Sequence, residues 1–262
     1  MPGSLEAATG FQWPKVKKAY EERRCEMKKE DVCALIREIA IIPAIRVSSG
    51  ADAHFAAEAV TRGGIPIVEI TMTVPGAVDL ISHLAKHNRN TIVGAGTVLD
   101  TETARRCLDA GASFLTAPEF YLEVLQFAAK ENVAVLPGAL TPTEVAAAWR
   151  AGADFVKVFP CAQVGGDKYI KALHTSLPQI PLIAAGGVNQ QTAANFIISG
   201  ATAIGVGTEL IPTEAIARRQ TERIRELALR FAGFVKEARE RVEEIKRSAI
   251  VQPYEGDEKC EV

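Results

Sequence analysis

From Ile41 onward the chain repeats one phrase eight times: a short run of β-branched and aliphatic residues, a polar or glycine-containing turn, and an alanine-rich segment with helical spacing. No other feature constrains the fold as much, because strands that each follow a helix must run parallel within one sheet. The strands fall at residues 41–45, 67–70, 91–93, 113–115, 133–136, 154–158, 182–184 and 203–206. Eight such units predict a single parallel (β/α)8, or TIM, barrel. The phrases Arg62-Gly63-Gly64, Asp109-Ala110-Gly111-Ala112, Arg150-Ala151-Gly152-Ala153 and Ser199-Gly200-Ala201 each stand between a helical pattern and a strand. A glycine there lets the helix end and the chain turn back into the barrel. The rival arrangement is an open doubly wound sheet, which calls for G-x-G-x-x-G after its first strand; Arg46-Val47-Ser48-Ser49-Gly50 stands there instead.

The segments around the repeats divide the chain. Residues 1–27 are a polar, charged tail, and a helix at about residues 28–38 leads into the barrel, which spans 28–212. Residues 213–250 form a helical segment that includes the last barrel helix, with Ile224, Phe231, Ala238 and Ile245 recurring on one side and Gly233 as the expected break between two helices. It is longer than barrel closure needs, so the excess either folds back under the barrel or meets a subunit. Residues 251–262 are a polar tail.

Composition sets the class. With 48% hydrophobic residues in 262, the chain can fill one sizeable core. Thirty Lys and Arg against 32 Asp and Glu leave a net charge of -2, too little positive field for a nucleic-acid partner. The five cysteines have neither a paired framework nor C-x-x-C spacing, which fits a reduced, cytoplasmic setting. The sequence carries no apolar signal core and no run long enough for a bilayer, so no membrane association is expected. His83 and His87 have helical spacing but lack the intervening Glu of H-E-x-x-H, and no metal is expected there.

In a (β/α)8 barrel the chemistry sits at the C-terminal ends of the strands. The sixth strand places one ammonium, Lys157, in the apolar run Asp154-Phe155-Val156-Lys157-Val158-Phe159-Pro160, on the same face as Phe155 and Phe159. Removal from water favours a neutral amine, the form that attacks carbonyl carbons. The alternative is a lysine that snorkels to water or pairs with a carboxylate. On the second strand Glu69 and Thr71 alternate inward, so Glu69 and Lys157 form either a structural ion pair or an acid/base pair; their place at the functional end favours chemistry. Arg46, ending the first strand, is an ion-pair partner for Glu69 or a clamp for a substrate carboxylate. Gly186-Gly187 after the seventh strand and Gly205-Val206-Gly207-Thr208 at the eighth stand where barrels of this kind cradle phosphate on backbone N–H groups.

Taken together, the phrases Val68-Glu69-Ile70-Thr71, Gly94-Ala95-Gly96-Thr97-Val98, Pro137-Gly138, Val156-Lys157-Val158-Phe159-Pro160 and Gly186-Gly187-Val188 resemble the class I 2-keto-3-deoxy-6-phosphogluconate / 4-hydroxy-2-oxoglutarate aldolase family, from about Ile41 to Leu210. The resemblance implies a cytoplasmic lyase with no cofactor, and a homotrimer. It implies that Lys157 is the Schiff-base lysine and Glu69 the general acid/base. Arg46, Thr71, Thr73, Thr97, Pro118 and Phe159 would contact a small keto-acid substrate, and Gly186, Gly187, Gly207 and Thr208 its phosphate. Two positions depart from the pattern: Thr73 stands where many members carry a carboxylate-clamping arginine, and Ala185 where a threonine is common in members acting on phosphogluconate. Cleavage of a 2-keto-3-deoxy-6-phospho sugar acid to pyruvate and glyceraldehyde 3-phosphate is the activity the resemblance implies, and the galactonate epimer or an unphosphorylated 4-hydroxy-2-oxo acid such as 4-hydroxy-2-oxoglutarate therefore stays open as substrate. So does a reading of another class, a phosphate-binding isomerase or synthase that uses both residues without covalent chemistry, or a structural oligomer whose catalysis has lapsed.

Overall fold

The structure, a computed structural model, describes residues 27–88 and 91–251, so the sequence expectations for 1–26 and 252–262 lie outside the described residues. The strands are β1 (Ile41–Ile45), β2 (Ile67–Thr71), β3 (Ile92–Gly96), β4 (Phe114–Thr116), β5 (Ala134–Leu136), β6 (Gly138–Ala139), β7 (Val156–Val158), β8 (Leu182–Ala185) and β9 (Ala201–Val206). They pair in parallel in the order β5-β4-β3-β2-β1-β9-β8-β7-β6. β5 and β6, at the two ends of that order, are halves of one strand interrupted at Pro137, which has no N–H to give the ladder. The N–H groups of Asp154, Lys157 and Phe159 donate to the carbonyls of Val135, Pro137 and Ala139 at 3.1, 2.9 and 3.1 Å. The ring is therefore closed, and the eight-unit barrel expected from the repeats is the fold.

The helices are α1 (Lys29–Ile39), α2 (Gly50–Arg62), α3 (Ala77–His87), α4 (Thr101–Asp109), α5 (Leu122–Lys130), α6 (Pro142–Arg150), α7 (Asp167–Ser176), α8 (Ala193–Ile198), α9 (Thr213–Ala217) and α10 (Thr221–Val251). Gly64, Gly111, Gly152 and Gly200 follow α2, α4, α6 and α8 with φ between 88° and 104°, the left-handed conformation that ends a helix without a Cβ penalty. At the opposite junctions polar side chains cap the helix starts: Ser49 accepts from the Asp52 N–H at 3.1 Å, and Thr141 and Glu144 exchange bonds in a capping box. These caps fix how each loop leaves its strand at the functional end.

Two elements differ from expectation. The sixth strand begins at Val156 instead of 154: the Asp154 N–H still donates to the Val135 carbonyl, but the Val135 N–H is answered by the Asp154 carboxylate at 3.0 Å and not by a strand carbonyl, and that carboxylate also pairs with Lys29 at 2.8 Å. Gly233 does not break the C-terminal helix, since α10 runs through it; the break is at residues 218–220. Arg219 there takes a left-handed φ of 52°, held by an ion pair to Asp52 at 2.8 Å and by the Phe55 ring beneath its guanidinium.

α10 packs into the ring of outer helices between α8 and α2, burying Ile224, Leu227, Ala228, Phe231, Val235 and Ala238. Ile245 does not continue this buried stripe: it is 54% exposed, because the helix has outrun the barrel by that point. α1 crosses the opposite end of the barrel from the functional face. Val32, Leu35, Ile36 and Ile39 are buried beneath it, and Arg37 lies 4.5 Å over the Phe155 ring. Burying side chains of this size contributes about 1.5–3 kcal/mol each.

Candidate active site

At the C-terminal ends of the strands lies a cavity of about 370 Å³ whose wall includes Ala44, Arg46, Glu69, Lys157, Phe159 and Ala185. Gly186, Gly187, Asn189, Gly207, Thr208 and Glu209 form its rim. Glu69 and Lys157 face each other across the interior. Lys157 Nζ lies 3.7 Å from Glu69 Oε2, with the side chains 14% and 5% exposed. Nζ also sits 5.6 Å from the centre of the Phe159 ring, which its strand carries two residues on. At 3.7 Å the pair is electrostatically coupled but is longer than a hydrogen bond. Each partner therefore keeps its bonding capacity for something else.

The wall is shaped to admit the carboxylate. A Cβ at Gly96 would collide with Glu69 Oε1, so glycine is what gives Glu69 its room beside β3. The next residue, Thr97, adopts φ of 61°, rare for a β-branched side chain. Gly187, with φ of 86°, passes so close to Ala162 that a side chain would not fit.

The structure brings together most residues singled out from the sequence, though not all. Arg46, Glu69, Lys157, Phe159, Gly186, Gly187, Gly207 and Thr208 all line the cavity. Arg46 is exposed and forms no ion pair among the described residues, so its guanidinium is available. Thr71, Thr73, Thr97 and Pro118 are outside this lining. The buried Thr71 hydroxyl is spent on the Ile45 carbonyl at 3.1 Å and on the Thr73 hydroxyl at 2.7 Å. Pro118 presents its backbone to Gly138.

Sequence reasoning missed three positions. Asn189 lines the cavity, but its Oδ1 accepts from the Gln191 and Thr192 N–H groups, each at 3.0 Å, which fixes the loop before α8. Glu209 adds a carboxylate to the rim. Thr116 is buried behind the lysine with its Oγ1 3.4 Å from Nζ. Alternation with the inward Phe114 carried the signal for Thr116.

Other reactive groups are occupied elsewhere. Burial pushes the thiols of Cys33 and Cys107 up to about 11 and that of Cys161 up to about 12, which keeps them protonated and poorly nucleophilic. His83 and His87 stack on the outer face with ring centres 4.5 Å apart, and His87 Nδ1 is engaged with the His83 carbonyl at 2.9 Å.

Residues 32–227 match the family model for KDPG and KHG aldolase. The chain belongs to the KDPG and KHG aldolase family. This is an aldolase, and hence a lyase, family. One relative is the 2-dehydro-3-deoxy-phosphogluconate aldolase of Pseudomonas aeruginosa, 34% identical over 79% of this chain and 96% of that protein. Another is the 2-dehydro-3-deoxy-6-phosphogalactonate aldolase of Escherichia coli, 33% identical over 71% and 87%. Among solved structures, the KDPG aldolase of Legionella pneumophila with pyruvate captured as a covalent carbinolamine superposes with a TM-score of 0.70 at 28% identity, covering 75% of this chain and 96% of that one. Among the described residues, no helix of this KDPG/KHG aldolase is long and apolar enough to cross a membrane.

Proposed function

We propose that this aldolase cleaves a 2-keto-3-deoxy-6-phospho sugar acid to pyruvate and glyceraldehyde 3-phosphate through a Schiff base on Lys157. The observation that carries this reading is the unsaturated Lys157–Glu69 approach, at 3.7 Å, opening on the strand-end cavity. The Lys157 amine adds to the keto carbon to give a carbinolamine, which loses water to form an iminium. That cation takes up the electron pair of the breaking C3–C4 bond. Glu69, directly or through a water, accepts the proton of the C4 hydroxyl as the aldehyde forms, then returns a proton to C3 of the enamine. Hydrolysis of the resulting imine restores the lysine and releases pyruvate.

Arg46 supplies the carboxylate clamp that Thr73 lacks. Strands one and two pair with Ala44 opposite Glu69, so the guanidinium reaches the same cavity from the neighbouring strand. Thr208 and the glycines of the rim hold the distal phosphate on hydroxyl and backbone N–H groups. Thr71, Thr73, Thr97 and Pro118 act from behind the wall as its support.

A second substrate reading is favoured by Ala185, which lines the cavity with a methyl where a hydroxyl would read the configuration at a neighbouring carbon. The galactonate epimer, and unphosphorylated 4-hydroxy-2-oxoglutarate giving pyruvate and glyoxylate, follow from it. The assembly proposed is a homotrimer, checked by light scattering of the purified protein.

The deciding experiment is borohydride reduction in the presence of pyruvate, followed by peptide mapping, alongside a panel of phosphorylated and unphosphorylated 2-keto-3-deoxy acids assayed for pyruvate release. An adduct on the Lys157 peptide supports the reading, and the panel ranks the epimers. Turnover with no covalent adduct at Lys157 would instead favour the non-covalent isomerase or synthase class, and neither adduct nor turnover a lapsed enzyme.

A further inference from the structure

We propose that the Thr116 hydroxyl positions the Lys157 amine for attack on the keto carbon, an inference that rests on the Schiff-base reading above. In a barrel of this kind the side chains of alternate strands share a layer. Glu69 comes from the second strand, Thr116 from the fourth and Lys157 from the sixth, so the three polar groups meet in the interior. Thr116 is only 2% exposed and its Oγ1 lies 3.4 Å from Nζ. Among the described residues, Nζ is the one recorded hydrogen-bond partner of that hydroxyl, while the Thr116 carbonyl is taken by the Val98 N–H at 3.1 Å.

Valine would fill the same space with the same β-branched shape. A buried hydroxyl costs free energy unless it is bonded, so its presence on an inner face calls for a partner, and the lysine is that partner. Its chemistry suits both states of the amine. Its oxygen accepts from the ammonium, and its O–H donates to the lone pair of the neutral amine. A lysine carries roughly 2 kcal/mol of rotamer entropy in its four-carbon stem. Held between an oxygen of strand two and an oxygen of strand four, Nζ loses less of that freedom when it must meet the carbonyl carbon. Thr116 lies outside the cavity lining and acts through the lysine, so it is a positioning residue and not a catalytic one.

The test is the rate of borohydride-trapped adduct formation as a function of pyruvate concentration in wild type, Thr116→Val, Thr116→Ala and Thr116→Ser. The expected result is a maximal trapping rate lowered on the order of tenfold in Thr116→Val and Thr116→Ala, the scale of a hydrogen bond to a charged group. The half-saturating pyruvate concentration stays near wild type, because the carboxylate clamp is untouched, and Thr116→Ser recovers most of the rate. Alanine adds no bulk, so it serves as the comparison if valine disturbs folding. Wild-type trapping rates in the two hydroxyl-free variants, or equal slowing in Thr116→Ser, would overturn the positioning role, the latter by pointing to the methyl group. If wild type forms no adduct at Lys157, the Schiff-base reading itself falls and takes this role with it. A wild-type adduct with an indifferent Thr116→Val removes only the role of Thr116.

Discussion

Lysine–carboxylate pairs stand at both ends of the barrel along the segment that runs through the sixth strand, Asp154 just before it and Lys157 within it, and the two are built differently. At the floor, Asp154 meets Lys29 of α1 at 2.8 Å and spends its other oxygen on the Val135 N–H at 3.0 Å. At the mouth, Lys157 stands 3.7 Å from Glu69 and donates to the Thr116 hydroxyl at 3.4 Å. The floor pair is short and uses its acceptors; it ties a helix to the barrel. The mouth pair is long and leaves lone pairs and protons uncommitted, although it is the more deeply buried of the two. Distance and bond saturation, more than burial, set the two pairs apart, and on the proposed mechanism they separate a structural pair from a reactive one.

Substitutions at the two pairs test that contrast. The largest effect is expected from Lys157→Met, which should lower aldol cleavage by more than roughly a thousandfold, as loss of a covalent nucleophile does, and abolish the pyruvate adduct. Retained turnover would mean that the mouth pair is structural after all. Glu69→Gln should still form the adduct while turnover falls on the order of a hundred- to ten-thousand-fold, the range for a lost general acid/base. An unchanged turnover number would assign Glu69 to packing alone. Next in size is Arg46→Ala, expected to raise the pyruvate concentration for half-maximal trapping roughly tenfold, with Arg46→Lys between it and wild type because the charge survives and the two-pronged geometry does not. Equal half-maximal concentrations in all three proteins would remove the clamp.

At the floor, Asp154→Ala should leave kinetics untouched and cost about 1–3 kcal/mol of stability, since the Val135 N–H loses its acceptor. Thermal melting and steady-state rates read the two separately. A kinetic defect as large as that of Glu69→Gln would erase the contrast between the pairs.

Much of this was legible from the residues alone, because strand alternation and glycine at helix ends act over short stretches of chain. The eight strands, and the inward placement of Glu69 and Lys157, follow from that local periodicity. Thr116 escaped notice because its partner is 41 residues away, and only the rule that alternate strands share a layer connects them. Gly233 misled for a related reason: a single glycine costs a helix about 1 kcal/mol, which the packing of Phe231 and Val235 on either side outweighs. The true break, at Arg219, has no glycine or asparagine to announce it and is held by contacts from α2. Ile245 kept the seven-residue spacing after the barrel had ended, a limit that periodicity cannot register.

Arg239, directly after the buried Ala238 that ends the packed stripe of α10, donates to the Glu38 carbonyl at 2.6 Å and to the Arg37 carbonyl, closing the C-terminal end of α1. These contacts span 201 and 202 residues. On a ribosome α1 is made before the barrel strands and Arg239 after them, so the last carbonyls of α1 wait through the synthesis of the whole barrel before this donor arrives. In vectorial synthesis the C-terminal end of α1 is thus fastened only after every strand is made, and an arrest between residues 206 and 239 would leave a nascent chain with all its strands and that helix end unfastened.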